Sequence, residues 1–304
     1  MSILSPYLEQ LRAEYDLGSK QGFVETHLEG VRFFWGDKQV ERASMIYPSG
    51  IVIIGQGRKK GYFDEHVFEY GEDTFLVVSV STPFECTTFA SNNEPLLGIF
   101  IDVDISDLHE LVALISTKDI PNSFEDVSTP GVYPMKVDED MGKAVERLMK
   151  SLACEAESQI LGKALVKEII YRVLVSKNGS SLYSLTQLNT PQTRVAKVIE
   201  YIRRNYKDQL TVQMLAERAS MSATAFHRAF RKMTGNSPLQ YVKKLRLSRA
   251  RSMIVHDGIK ANVAANAVGY DSPSQFSREF KSYFNVTPTK AKNVGYADID
   301  VWQK

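Results

Sequence analysis

Ser222-Ala-Thr-Ala-Phe-His-Arg-Ala-Phe-Arg231, closing at Ser237-Pro238, and Ser272-Pro-Ser-Gln-Phe-Ser-Arg-Glu-Phe-Lys281, closing at Thr287-Pro288, are two copies of one pattern fifty positions apart. Ser, Phe, Arg, Phe, a basic residue, Ser/Thr and Pro fall at matching offsets. Phe226/Phe230 and Phe276/Phe280 are i,i+4 pairs, so each copy is expected to be a helix with one buried aromatic face. Arg228 and Arg278 lie between the phenylalanines and point off that face. Two short basic helices on a repeated scaffold suit a reader of DNA with two contact points.

A shorter helix is expected ahead of each copy, over Thr211–Ala219 and Ile259–Val268. A tight turn follows each: Ser220-Met221, and Gly269-Tyr270-Asp271. Small residues at Ala216 and Ala265 let two helices approach closely, which gives a helix-turn-helix pattern twice over. Gly269 supplies a positive φ freely, whereas Ser220 in that conformation costs about 1–2 kcal/mol. The second turn reads one residue longer. Thr190-Pro191 looks like a cap and first-turn proline, opening a helix with Val195, Val198, Ile199, Ile202 and Tyr206 on one side. Ser237-Pro238 opens a linking helix with Leu239, Val242, Leu245, Ala250 and Ile254, closed near Gly258.

On these residues the region 190–292 resembles the DNA-binding domain of AraC/XylS-type bacterial transcription regulators. Gly269-Tyr-Asp-Ser-Pro-Ser-Gln-Phe-Ser-Arg-Glu-Phe-Lys-Ser-Tyr-Phe-Asn-Val-Thr-Pro288 carries the resemblance most specifically. Two places depart from the family pattern: Ala264, where Ile is frequent, and Thr289-Lys290-Ala291-Lys292, where an aromatic-basic ending is usual. The family's docking mode implies base contacts by Thr224, His227 and Arg228 in the first helix, and by Ser274, Gln275 and Arg278 in the second. Arginine grips guanine, and glutamine adenine, with two bonds each. Arg231, Lys232 and Lys281 lie a turn further on and are expected to touch phosphate. Ser222 and Ser272 are expected N-caps whose helix ends face phosphate.

Charge divides the chain in the same place. Residues 186–304 hold 20 Lys and Arg against 8 Asp and Glu, while residues 1–185 hold 17 against 28. The basic half fits phosphate contact. The acidic half is expected to sit away from DNA or against the basic half. Cysteines number 2, which excludes a disulfide framework and fits a reducing cytosol. The start, Met-Ser-Ile-Leu-Ser-Pro, lacks a basic stretch followed by an apolar one, and no apolar run approaches ~20 residues. Neither a leader nor a spanning helix is expected, and the protein is expected in the cytoplasm.

Residues 1–180 read as a small barrel plus helices. Strands are expected over 31–35, 51–54, 66–70, 75–80 and 96–101, with turns at Pro48-Ser-Gly50, Gly61, Gly71-Glu-Asp73 and Asn92-Asn93. Helices are expected over 105–116, 137–152 and 158–176, with a linker over about 178–190. Tyr47–Gly61, Phe68-Glu-Tyr70, Leu76–Pro83 and Lys167–Leu174 resemble the N-terminal domain of one branch of the same family. That resemblance implies a cupin-like barrel that senses a small molecule or dimerises. Phe33, Trp35, Ile53, Phe63, Phe75 and Phe84 are candidates to line its cavity. The stripe Leu161, Leu165, Ile169, Val173 suits either a dimer seam or packing on its own barrel.

Signals for other chemistry are weak. Gly55-Gln-Gly57-Arg-Lys-Lys-Gly61 places its third glycine one residue late for a dinucleotide loop, so a hairpin turn is expected. His109-Glu110 lacks a second histidine at position 113. Asp102-Val-Asp104-Ile-Ser106 lacks the glycine and the glutamate of a calcium loop and reads as strand end and helix cap. His27, His66 and His109 are scattered, and no Gly-x-Ser-x-Gly elbow occurs. Cys86 reads as a small buried residue rather than a sensor thiol. The expected protein is therefore a DNA-binding regulator with no cofactor, no metal and no catalytic residues. Double-stranded DNA, a small-molecule effector, RNA polymerase and a second copy of the chain are its candidate partners. The rival is a cupin-like enzyme fused to a DNA-binding module.

Overall fold

Strand alternation organises the first half. The computed structural model describes residues 4–15, 21–115, 130–176 and 179–291. The strands are β1 (Gly22–Glu25), β2 (Val31–Gly36), β3 (Val40–Tyr47), β4 (Gly50–Gln56), β5 (Arg58–Phe63), β6 (His66–Gly71), β7 (Thr74–Val78), β8 (Thr82–Phe89), β9 (Leu96–Asp102) and β10 (Val132–Lys136). All pair antiparallel along the path β1-β2-β9-β4-β7-β6-β5-β8-β3, with β10 added on β7. No pairing closes β3 on β1 among the described residues, so the sheet is a half-barrel.

β2, β4, β6, β7 and β9 lie where apolar runs predict them. The others escape such a reading because their sequences are polar on one face (β3, β8), charged (β5) or short (β1, β10). Two expectations change. The run Gly55–Gly61 is not a hairpin: β4 pairs with β7 and β9, while β5 pairs with β6 and β8. Gly57, at φ 78°, turns a corner between two parts of the sheet. Gly61 is no turn either. It lies inside β5, where an added Cβ would meet the Phe68 ring at 2.5 Å.

Each face of the sheet has its own core. One cluster holds sheet residues alone: Phe34, Tyr47, Val52, Ile54, Phe63, Tyr70, Leu76, Val78, Phe84, Cys86, Leu96, Phe100 and Val132. The opposite face packs on helices. Of the six cavity candidates only Phe63 and Phe84 point inward. Phe33, Trp35, Ile53 and Phe75 are one residue out of step and pack in the helix-side cluster. With a period of two, a shift of one reverses the face.

That side carries α1 (Ser5–Glu14), α2 (Ile105–Leu114), α3 (Glu139–Leu152) and α4 (Glu155–Val175). Asp104 caps α2 by accepting from Ser106 N, as the strand-end reading requires. On α4, Ile169 and Val173 are buried, Leu165 is half-buried and Leu161 is exposed, so most of the stripe packs within the chain. The segment read as a linker contains α5 (Ser180–Thr186), held by buried Leu182 and Leu185.

The remaining helices are α6 (Pro191–Asn205), α7 (Val212–Arg218), α8 (Ala223–Thr234), α9 (Pro238–Val255), α10 (Ala261–Ala267), α11 (Pro273–Phe284) and α12 (Pro288–Ala291). Thr190, Thr211, Ser222, Ser237 and Ser272 each cap a helix by accepting from a backbone N–H three residues on. Helix α9 joins two cores. Tyr241, Val242 and Leu245 belong to the cluster shared with the sheet, and Leu247, Ala250 and Ile254 to a separate one with α10 and α11. Leu239, expected on its apolar side, is exposed.

Candidate nucleic-acid interface

Helices α8 and α11 have the same construction. Phe226 and Phe230 are buried, with ring centroids 5.4 Å apart, and Phe276 and Phe280 repeat the arrangement at 5.4 Å. Phe230 meets Tyr241 edge-on, and Phe276 meets Tyr270 likewise. These contacts fix how each helix is rotated about its axis. Thr224, His227 and Arg228 are thereby exposed on α8, and Ser274, Gln275 and Arg278 on α11. Within each helix the three residues are neighbours at i, i+1, i+3 or i+4 spacing.

The turns differ as their sequences require. Ser220 has φ 51° and Gly269 has φ 87°. Gly269 is also a point of close approach, where an added Cβ would meet the Lys207 carbonyl oxygen at 2.3 Å. Arg246 of α9 sits beside it. Its guanidinium donates to the carbonyls of Tyr206 (2.6 Å), Asp208 (2.7 Å) and Gly269 (3.1 Å). One side chain thus ties the loop before the first unit to the turn of the second. Nothing in the sequence marks Arg246 apart from other basic residues of α9.

The remaining groups have partners of their own. Gln275 Nε2 donates to Glu279 at 3.2 Å, and Tyr270 Oη donates to the same carboxylate at 2.8 Å. Burial, reinforced by Glu279, pushes the Tyr270 hydroxyl up, so it stays a donor. Ser222 and Ser272 are engaged as caps, and Lys281 is exposed. Arg231 reaches Asp64 of the β5–β6 turn at 3.3 Å. Arg228 and Lys232 border a cleft of about 390 Å³ between α8 and the first half of the chain, with Ser79 and Ser181 opposite.

The first unit is bonded to the sheet. Tyr241 Oη donates to Ser81 O (2.7 Å), Thr82 Oγ1 to Thr234 O (3.0 Å), Asn236 Nδ2 to Pro83 O (3.2 Å) and Gly131 N to Met233 O (3.0 Å). Two of these acceptors are carbonyls at the C-terminal end of α8, which the sheet side therefore caps.

Comparison with known proteins agrees with this geometry. Residues 27–181 match the family model described as the AraC-type transcriptional regulator N-terminus. The chain belongs to the AraC-type transcriptional regulators. This AraC-type regulator also matches a helix-turn-helix domain model over residues 215–293. It is 20% identical over 232 residues to the lactose operon transcription activator of Staphylococcus xylosus, covering 76% of this chain and 75% of that one. It is 25% identical over 161 residues to the HTH-type transcriptional activator RhaS of Escherichia coli, covering 52% of this chain and 57% of RhaS. The fold is similar to that of ToxT from Vibrio cholerae solved with an unsaturated fatty acid bound, at TM-score 0.58 and 12% identity, covering 86% of this chain and 93% of ToxT. The AraC-type chain is a sequence-specific DNA-binding transcription regulator, with a half-barrel sheet region followed by a helical one. No described helix is long and apolar enough to cross a membrane.

Proposed function

We propose that this regulator reads promoter DNA with α8 and α11 in successive major grooves, under control of a small molecule held by the half-barrel. Residues 1–180 form the sensing unit and residues 190–292 the DNA-binding unit. Thr224, His227 and Arg228 face the bases of one half-site, and Ser274, Gln275 and Arg278 those of the other. Ser222, Arg231, Lys232, Ser272 and Lys281 hold phosphates. The protein acts in the cytoplasm with RNA polymerase as a partner, and it acts as an activator, like the lactose operon activator and RhaS. It has no catalytic role. A second copy of the chain is a further partner.

One observation carries this reading: each helix is pinned by two buried phenylalanines with a polar triplet left exposed on the same turn. Arg228→Ala and Arg278→Ala should each lose about 1–3 kcal/mol at the true site and relax base preference at different positions. Footprinting on randomised sites measures this. Unchanged preference in both variants would refute the base-reading roles.

A further inference from the structure

Lys59 is fully buried inside the half-barrel. Alternation along β5 puts Lys59, Gly61 and Phe63 on the inner face, while Arg58 is exposed on the other. The ammonium has three donors to place. It donates to Tyr47 Oη at 2.9 Å and touches Met45 Sδ at 3.6 Å. Tyr47 Oη meets Tyr70 Oη at 3.2 Å, and Tyr70 Oη meets Cys86 Sγ at 3.5 Å. Burial pushes Cys86 and both tyrosines up, so all three are neutral at physiological pH.

The cluster contains a cation and no carboxylate. The acids beside it in sequence are committed elsewhere. Glu69, next to Tyr70, pairs with Arg58 at 3.1 Å, and Glu85, next to Cys86, pairs with Arg42 at 2.6 Å. All four of those side chains are on the outer surface. A buried charge without its opposite is destabilising, and a methionine of similar volume would avoid that cost. The walls around Lys59 are aromatic: Tyr47 lies 5.3 Å from Phe84 and 6.2 Å from Phe100 by ring centroids.

We infer that Lys59 is the anchor for an anionic effector, a monocarboxylate with an apolar body, bound inside the half-barrel. This rests on the small-molecule control proposed above and names its chemical class. One cation matches one negative head. The Tyr47 and Tyr70 hydroxyls supply further donors to it, and the phenylalanines take the apolar body. Met45 is the piece that gives way: it is half-buried, flexible, and occupies the position beside the ammonium that a carboxylate oxygen would take. Met45 also supplies a route outward. It lies on β3, the last strand of the sheet path, on which α9 and α11 pack. Its neighbour Ser44 is buried against the Tyr283 hydroxyl of α11. A shift of Met45 is therefore felt at the second DNA-reading helix.

The test is thermal unfolding of the full-length protein with octanoate, benzoate and phenylacetate, each beside its primary amide, in wild type and Lys59→Met. The acids should raise the wild-type midpoint, with affinities at least about tenfold above those of the amides. Lys59→Met should melt higher than wild type without ligand and lose the response to acids. A Lys59→Met protein less stable than wild type would overturn the inference. Equal stabilisation by acid and amide would overturn the anionic class while leaving small-molecule control standing. No response to either series would also overturn it, and stabilisation by a neutral sugar library would then keep small-molecule control.

Discussion

Lys59 gives the residue scale its clearest pH signature. Burial lowers its pKa from 10.5 to about 8, so the folded state binds this proton less well than the unfolded chain does. Destabilisation is full below about pH 8, falls as pH rises through the gap between the two values, and is absent above the unfolded value. Relative to Lys59→Met, wild type should therefore gain about 1.5 kcal/mol between about pH 8 and about pH 9.5, at 1.36 kcal/mol per unit of pKa difference. Urea unfolding of both proteins at several pH values measures it. Tyr47 and Tyr70 are held above the ordinary tyrosine value and do not ionise in this window. A difference between the two proteins that stays flat over the window would mean that Lys59 is not buried as an unpaired cation.

At the scale of elements, Arg246 and Gly269 decide how the two reading helices act together. Arg246 bridges carbonyls of Tyr206, Asp208 and Gly269, and Gly269 leaves no room for a Cβ against Lys207. A rigid link makes binding of the second half-site effectively intramolecular. Arg246→Ala should lower affinity for a full site about tenfold, ~1.4 kcal/mol, and leave affinity for an isolated half-site unchanged. It should also tolerate a base pair inserted between half-sites that wild type rejects. Gel shifts on a spacing series separate this from general unfolding, which would weaken half-site binding equally. Gly269→Ala adds a strained φ and a clash, and is expected to destabilise the second unit by at least about 1–2 kcal/mol. How legible these features were in the sequence follows from their physical range. The caps, the phenylalanine pairs and the positive φ at Gly269 depend on neighbours within one turn, and the residues announced them; the positive φ at Ser220 has no such mark, since a serine adopts it only at a cost. The Arg246 bridge depends on carbonyls 40, 38 and 23 positions away, and no local pattern encodes such a contact. The same holds for the inner face of the sheet. Lys59 could have been read from the alternation Lys59, Gly61, Phe63, but a run of three basic residues looked like a surface turn. Phe33, Trp35, Ile53 and Phe75 have the composition of cavity walls, yet sheet parity turns them to the helices.

The whole molecule is divided differently from its sequence. Charge and motif suggest an acidic half and a basic half joined by a linker, but the cores do not follow that line. One continuous buried cluster runs from α1 through the sheet and α6 to Tyr241 and Leu245 of α9. The second helix-turn-helix unit has a cluster of its own, from Leu247 to Ala291. The first unit should therefore unfold with the sheet, and the second as a smaller unit. Tyr241→Phe tests this division. Its hydroxyl is buried, and its bond to Ser81 O crosses the seam. Removing it leaves that carbonyl without its donor, a loss of about 1–2 kcal/mol. Native-state hydrogen exchange should show amides of α6, α7, α8 and the sheet losing protection together by that amount. Amides of α10 and α11 should be moved least, because their buried residues belong to a cluster other than that of Tyr241. Loss of protection in α9 alone would mean that the seam is only a local contact. Equal loss in α11 would mean that both reading helices fold as one body, so that a ligand in the half-barrel would act on the two half-sites together rather than on one before the other.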